Sequence, residues 1–352
     1  MMVRGDHIPG GHRTQLDQTC RYLQALEVDA VVSFEEWPDL SRYDLVHGFG
    51  LGPAEIRRCR QAGLPVVLST IYWGRFHTSG QHQARKPLDV WKHRGRMGLV
   101  LLRSALQGQH MEKCEAFVEE LQNQRVAYEM ADLLLPNSEM EARTIQAELG
   151  VTTPYCVVPN AVDPAIFQIS MEPPVERNHV LFAGRFEPHK NQLGLIEAMR
   201  SSDLPVIFVG HPHPDHPAYY EQCKRRATKN MTILPGVPHE QLAPLYTAAK
   251  VHVLPSWSET TGLVSLEAAL CGCNIVTTER GYTREYFQDL AWYCNPADPH
   301  SIRRAIEDAY HTPFRAELKE RVLDNFTWEH TARATLKGYK MLQRTELFAY
   351  SG

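Results

Sequence analysis

No apolar run in the 352 residues approaches the roughly 18–20 that a spanning helix needs. The best candidate, Met97-Gly-Leu-Val-Leu-Leu102, stops at Arg103. The N-terminus lacks the basic-then-apolar layout of a secretory signal, no CxxC pair occurs, and no repeat at a solenoid period is visible. A basic surplus is missing as well. The 37 Lys and Arg stand against 41 Asp and Glu, a formal net charge of −4, which argues against a dedicated nucleic-acid binder. These absences predict a soluble, cytoplasmic protein whose eight cysteines are reduced and mostly core thiols.

What is present is ordinary globular composition, 43% hydrophobic and 22% charged, in a chain long enough for two domains of about 150–180 residues. Short β-branched runs at 30–34, 45–49, 66–70, 133–136, 155–159, 180–183, 206–209, 232–234, 251–254 and 274–278 read as strands. Helical patterns lie between most of them, at 14–26, 53–62, 112–131, 138–149, 191–199, 240–249, 263–269 and 299–310. This alternation predicts an α/β protein with parallel sheets covered on both faces. The proline- and charge-rich stretch 168–178 interrupts the rhythm, which restarts at Val180. The reading is two Rossmann-like domains, 1–168 and 169–328, with a final helix over 329–352 and a ligand site in the cleft between the domains.

Two stretches carry chemistry. Strand 180–183 leads into Gly184-Arg185-Phe-Glu-Pro-His-Lys190-Asn191. Gly184 permits close backbone approach, Arg185 and Lys190 place two cations at a strand's carboxyl end, and Asn191 is placed to cap the next helix. That combination suits a diphosphate, and it equally fits a basic loop capping a surface helix. Strand 251–254 is followed by Glu259-Thr260-Thr261-Gly262-Leu263, with Glu267 four residues further on. Gly262 lets the backbone turn into a helix, and the two carboxylates bracket its N-terminus. They can grip hydroxyls of a sugar and of a ribose while the amides between them face phosphate oxygens. The helix dipole by itself also favours Glu near a helix start.

Here the chain resembles the retaining, GT-B-fold glycosyltransferases of family 4. Glu259…Glu267 matches their Glu-x7-Glu signature, and Gly184-Arg185 with Lys190 is similar to their donor-phosphate motif. Ala131-Asp132…Asn137-Ser138, Val158-Pro-Asn160-Ala-Val-Asp163…Phe167, Pro235-Gly236 to Tyr246…Ala249, and Phe326-Thr-Trp328 resemble further family segments in the family's order. The resemblance covers nearly the whole chain and is dense from Leu133 to Trp328. It implies catalytic roles for Arg185, Lys190 and Glu259. It implies donor binding by Gly10, Gly11, Gly184, Arg185, Lys190, Thr260, Thr261, Gly262, Leu263 and Glu267. Glu267 would hold the ribose, Glu259 the transferred sugar, and the two cations the departing diphosphate. The donor would be a nucleotide-diphosphate sugar and the acceptor a sugar, glycan or lipid-linked carbohydrate. No cofactor or metal is implied, and no Asp-x-Asp is present. The last helix, after Trp328, would cross back onto the N-terminal domain, and the acceptor would meet the 9–13 loop and the 69–83 region. A nucleotide-sugar epimerase on the same fold, and a degenerate transferase kept as a binding scaffold, are the competing functions.

The sequence departs from the family pattern at three places. The usual Glu-Gly-Phe-Gly-Leu reads Glu259-Thr-Thr-Gly-Leu263, no His follows the 66–70 strand although His77 lies nearby, and only Gly281 and Glu285 survive of a Gly-Gly-x-x-Glu motif. The short first strand, at 1–4, points to a start upstream of Met1. Stretch 85–103 has six cations beside an apolar run; it fits peripheral contact with an anionic membrane or a phosphorylated acceptor, and also a solvated loop. His211-Pro-His213-Pro-Asp215-His216 is discounted as a metal site, because its prolines prevent a regular element from aligning ligands. His47, Tyr72 and Trp73 read as core residues, and Cys271-Gly272-Cys273 as the end of a helix.

Overall fold

The computed structural model describes residues 2–4, 11–35, 38–74, 111–168 and 177–349. Gly10, His77, the 85–103 stretch and residues 169–176 of the predicted linker lie outside the described residues.

The first sheet contains β1 (Met2–Arg4), β2 (Val31–Ser33), β3 (Val46–Phe49), β4 (Val66–Ser69) and β5 (Leu133–Leu135), all parallel, in the order β2-β1-β3-β4-β5. Around it lie α1 (Gly11–Ala25), α2 (Pro53–Gln61), α3 (Met111–Met130) and α4 (Glu139–Leu149). Every residue of β3, β4 and β5 is buried, because helices cover both faces; continuous Val/Leu runs satisfy that demand where an alternating strand would not. One face packs on Ile56 of α2 and Ile145 of α4, the other on Leu16 and Leu23 of α1.

The second sheet is built from β6 (His179–Ala183), β7 (Val206–Gly210), β8 (Met231–Pro235), β9 (Ala249–Leu254), β10 (Asn274–Thr278) and β11 (Trp292–Cys294). Its order is β11-β10-β9-β6-β7-β8, again parallel throughout. Its helices are α5 (Gln192–Met199), α6 (Pro217–Arg226), α7 (Leu242–Ala248), α8 (Leu263–Leu270), α9 (Thr283–Phe287), α10 (Pro299–His311) and α11 (Ala316–Asn325). A final helix, α12 (Trp328–Ala349), packs against α1 and buries Ala332 and Tyr339 in the core of the first sheet. Conversely, Val162 and Phe167 lie in the core of the second. The two crossings run side by side: Val162 pairs with Thr327, and its N–H donates to Phe326 O at 2.9 Å. The predicted α/β fold with two parallel sheets is therefore observed.

Some expected elements differ. Segment 155–159 forms no strand beyond a single bridge from Tyr155 to Leu134, because Pro154 and Pro159 lack the N–H groups that would continue a ladder. Helix α6 was hidden behind the His-Pro run, although Pro217 at its first turn and Lys224-Arg225-Arg226 in its last are ordinary boundary signals. β11, α9 and α11 were not anticipated either. Cys271 caps α8 with Gly272 following at φ 83°, as expected for a helix end. The seven cysteines whose side chains are described are free and buried.

His47 is fully buried in β3, its Nδ1 bonded to Tyr339 Oη at 2.7 Å and its Nε2 to Ser69 Oγ at 2.8 Å. It ties α12 to the first sheet and has no opening to the cleft. Burial pushes its pKa down to about 3, and the same cause takes the core His252 of β9 to about 3. Between pH 6.5 and 3 the unfolded chain therefore binds protons at both rings that the folded chain refuses, so stability falls as pH falls through that window. Glu141, pushed up by burial to about 7, acts with the opposite sign, losing stability as pH rises through 4.5 to 7. We expect the His252→Leu variant to lose about 1.4 kcal/mol less per pH unit than wild type below pH 6 in urea unfolding. Equal slopes would show that His252 titrates normally in the fold.

Candidate functional site

The site grows from the carboxyl ends of two neighbouring strands. β6 and β9 pair with Leu181 opposite His252, which sets the loop after Ala183 beside the loop after Leu254. The first loop turns at Gly184, passes Arg185 and closes in a 3-10 turn over Pro188–Lys190. The second runs through Glu259 to Gly262, whose φ of 76° turns the chain into α8. Lys190 Nζ donates to Glu259 Oε1 at 2.6 Å. The Glu259 side chain is 6% exposed and that of Lys190 21%. Burial pushes the Glu259 carboxyl up, but Lys190, His189 and local hydrogen bonds together hold it below the usual carboxylate range. Glu259 is thus a buried anion whose charge is matched by one named cation. Arg185 is more open, with its guanidinium 3.7 Å from Glu187.

Asn191 departs from expectation. It stands at the cap position of α5 with φ 59° and makes no side-chain cap bond. That left-handed backbone points the amide elsewhere: Nδ2 donates to Pro255 O at 3.1 Å and Pro296 O at 2.9 Å. Gly194 leaves the space, since a Cβ there would lie 2.5 Å from Asn191 Oδ1. Asn191 therefore holds the two loops together and is no helix cap.

Glu267 is buried on α8, eight residues beyond Glu259 in sequence. Tyr246 Oη of α7 donates to its Oε2 at 3.0 Å, and His239 Nε2 lies 2.7 Å from its Oε1. The hydrogen bond to Glu267 outweighs burial and raises the His239 pKa. A small recess opens beside this group, lined by Thr14, Gln18, Asp163, Phe167, His239 and Glu267 among others. Sequence reading did not single out His239, which lies inside the 235–249 segment but is none of the residues that carried its resemblance.

The N-terminal domain meets the site directly. A Cβ on Gly11 would stand 3.1 Å from Leu263 Cδ1, so the N-termini of α1 and α8 face one another. Thr261 is buried, and its hydroxyl accepts from Asn160 Nδ2 at 3.0 Å; its side chain serves the domain junction, while Thr260 is half-buried. Trp73 of the first domain lies against His189 of the second, ring centroids 4.1 Å apart. Tyr72 is buried; its Oη donates to Glu148, and its carbonyl accepts from Tyr282 Oη at 2.9 Å. Tyr286 Oη donates to Asn137 O at 2.7 Å and accepts from Asn160 N at 3.0 Å. Glu285 accepts from the N–H groups of Glu139 and Met140 at 2.7 and 2.9 Å, so a carboxylate of one domain caps α4 of the other. This interdomain cap was not legible from the surviving Gly281 and Glu285 alone.

The histidine-rich turn pairs with the 184–191 loop. Phe186 bridges to Pro212, and His213 lies 3.8 Å from both Glu187 and Asp215. Among the described residues no group of three or more His, Cys, Asp or Glu could hold a metal ion. Among them, too, no helix is long and apolar enough to cross a membrane.

Residues 166–325 match the family model of the Glycosyl transferases group 1. The chain is 28% identical over 239 residues to the D-inositol 3-phosphate glycosyltransferase of Acidothermus cellulolyticus, covering 60% of this chain and 53% of that protein. It spans about half the length of the curated relatives it matches. Among solved structures, sucrose-phosphate synthase from Thermosynechococcus elongatus superposes with a TM-score of 0.75 at 17% identity, covering 98% of this chain and 99% of that one. Anabaena HepE, in complex with UDP and glucose, gives 0.70 at 14% identity, covering 96% and 98%. The architecture is that of the GT-B glycosyltransferases, two Rossmann-like domains with parallel sheets. The family match takes in the whole second sheet and the loops that follow β6 and β9.

Proposed function

We propose that the protein is a retaining, metal-independent glycosyltransferase of family 4. It moves a hexosyl group from a nucleotide-diphosphate sugar to a sugar, glycan or lipid-linked acceptor. The observation that carries this reading is the ion pair of Lys190 with Glu259, 69 positions apart in sequence, at the ends of β6 and β9, with Glu267 on the helix that follows the Glu259 loop. Glycosyl transfer breaks the bond between the anomeric carbon and the diphosphate, and joins that carbon to an acceptor hydroxyl. Its cost is charge separation between an oxocarbenium-like sugar and the departing diphosphate. Cations already in place where that charge develops lower the barrier without reorganising.

In this reading Arg185 and Lys190 stabilise the leaving diphosphate, and amides of Gly184, Thr260, Thr261, Gly262 and Leu263 assist. Lys190 also neutralises Glu259, which leaves that carboxylate ionised to accept hydroxyls of the transferred sugar. Glu267 accepts the ribose hydroxyls. Gly11, which faces Leu263, closes the donor side from the N-terminal domain, and the acceptor enters along that domain. The two cations do the work that a metal ion does elsewhere, consistent with the lack of an Asp-x-Asp sequence.

A panel of UDP-, GDP- and ADP-sugars, with and without acceptors and read by mass spectrometry, tests the proposal. Release of nucleoside diphosphate from one donor, with the product anomer unchanged, is the expected result. Isomerised donor without release would mean an epimerase, and binding without turnover a scaffold. In the same assay Glu267→Ala should weaken donor binding by about 10- to 100-fold, the loss of hydrogen bonds to a charged group.

A further inference from the structure

We propose that His239 is a positioning residue for nucleoside recognition: holding Oε1 of Glu267 while Tyr246 holds Oε2, it fixes that carboxylate to accept the cis-diol of a ribonucleoside diphosphate. The inference rests on the reading of Glu267 as the ribose-binding residue and adds the device that sets its geometry.

An ionised carboxylate offers about four lone-pair directions. Two are used inside the protein, by His239 at 2.7 Å and Tyr246 at 3.0 Å, so the remaining directions are fixed in space. A glutamate anchored on both oxygens cannot change rotamer when a diol arrives, which removes an ordering cost from binding. His239 is itself braced in an edge-to-face contact with Phe167, 5.0 Å between centroids, and it lines the same recess as Glu267.

Several groups face the imidazole. Glu267 comes from α8, Glu240 from its own turn, and Asp163 from the segment that enters the second domain. Tyr246 of α7 stays neutral, because burial drives its hydroxyl pKa upward. All three charged neighbours are carboxylates, which favour the imidazolium, while partial burial opposes it. A charged ring must donate to Glu267. A neutral ring donates only through its Nε2–H tautomer and without the charge, so the brace weakens.

The experiment is calorimetric titration of the full chain with UDP, GDP and ADP, their 2′-deoxy forms and inorganic pyrophosphate, from pH 6 to 9. His239→Ala should weaken the ribonucleoside diphosphate that wild type binds by roughly tenfold. The 2′-deoxy form should lose less, and pyrophosphate should be unchanged. His239→Gln, which keeps a donor at the Nε2 position, should restore most of the affinity. In wild type, ribonucleotide affinity should fall relative to pyrophosphate as pH rises, whereas in His239→Gln the ratio should stay flat. Equal affinities in His239→Ala and wild type, or equal losses for ribo, deoxy and pyrophosphate ligands, would overturn the proposal. Failure of wild type to bind any nucleoside diphosphate would overturn the functional reading itself, and this proposal with it.

Discussion

Replacing Lys190 by Met is expected to lower turnover by about 100- to 1000-fold, the loss seen when one preorganised group that stabilises developing charge is removed. Two effects combine. The diphosphate loses a cation as it departs, and Glu259, 6% exposed, loses the ammonium 2.6 Å from its Oε1. A buried anion left without its partner destabilises a fold by about 3–5 kcal/mol, or takes up a proton instead. The Glu259 carboxyl, now below its usual range, would then rise above it, since burial is the largest single influence on it. Lys190→Met should therefore be less stable at pH 8 than at pH 5 relative to wild type. The double variant with Glu259→Gln should recover stability without recovering turnover. Thermal melts at both pH values and steady-state rates measure these outcomes. Wild-type rates in Lys190→Met would remove the proposed role of this pair in catalysis.

Gly281→Ala is expected to be nearly as damaging, although it changes one methyl group outside the charged site. Gly281 has φ 103°, a backbone conformation that side chains disfavour, and it bridges to Glu259. A Cβ at this position would lie 2.0 Å from Glu259 O and 3.0 Å from Glu259 N. Both atoms belong to backbone, held by Tyr282 N donating to Glu259 O and Glu259 N donating to Arg280 O. The loop has to move, at a cost of about 2–6 kcal/mol from strain plus overpacking. A drop in melting temperature of roughly 5–20 °C follows for domains of this size. Movement of the loop also draws the Glu259 carboxylate away from Lys190, so turnover should fall even at temperatures where the variant is folded. A variant that melts with wild type would show that the Glu259 loop relaxes freely and that Gly281 does not set it.

Much of the frame was legible because parallel sheets write a strong local pattern. Runs such as Val66-Val-Leu-Ser69 and Leu133-Leu-Leu135 are apolar throughout because both faces are covered. Helix boundaries such as Pro53 and Ser138 carry their own start signals, the latter with its hydroxyl accepting from Glu141 N. Lys190, Glu259 and Glu267 were likewise visible as candidates, because one stands in a basic loop after a strand and the other two form a Glu-x7-Glu pair around the start of the helix after another.

The arrangement around them was not visible. Asn191 looks like a cap in sequence and is a brace between Pro255 and Pro296 in space. The Tyr286 hydroxyl joins Asn137 to Asn160 across 126 or more positions. Glu285 caps a helix that lies 146 residues earlier in the chain. His239 has no sequence neighbour that marks it as the partner of Glu267. Each of these contacts is long-range and polar, and its partner is chosen only when two domains or two strand-end loops come together.

The chain's own pattern of apolar and polar residues determined the two parallel sheets, the positions of most helices and the candidate charged residues, because hydrophobic periodicity and capping act within a few residues. Tertiary structure decided which charge meets which: that Lys190 neutralises Glu259, that His239 and Tyr246 hold Glu267, and that Glu285 caps α4. Hydrogen bonds and ion pairs are short-ranged and directional, so their pairing is settled by the path of the backbone in space.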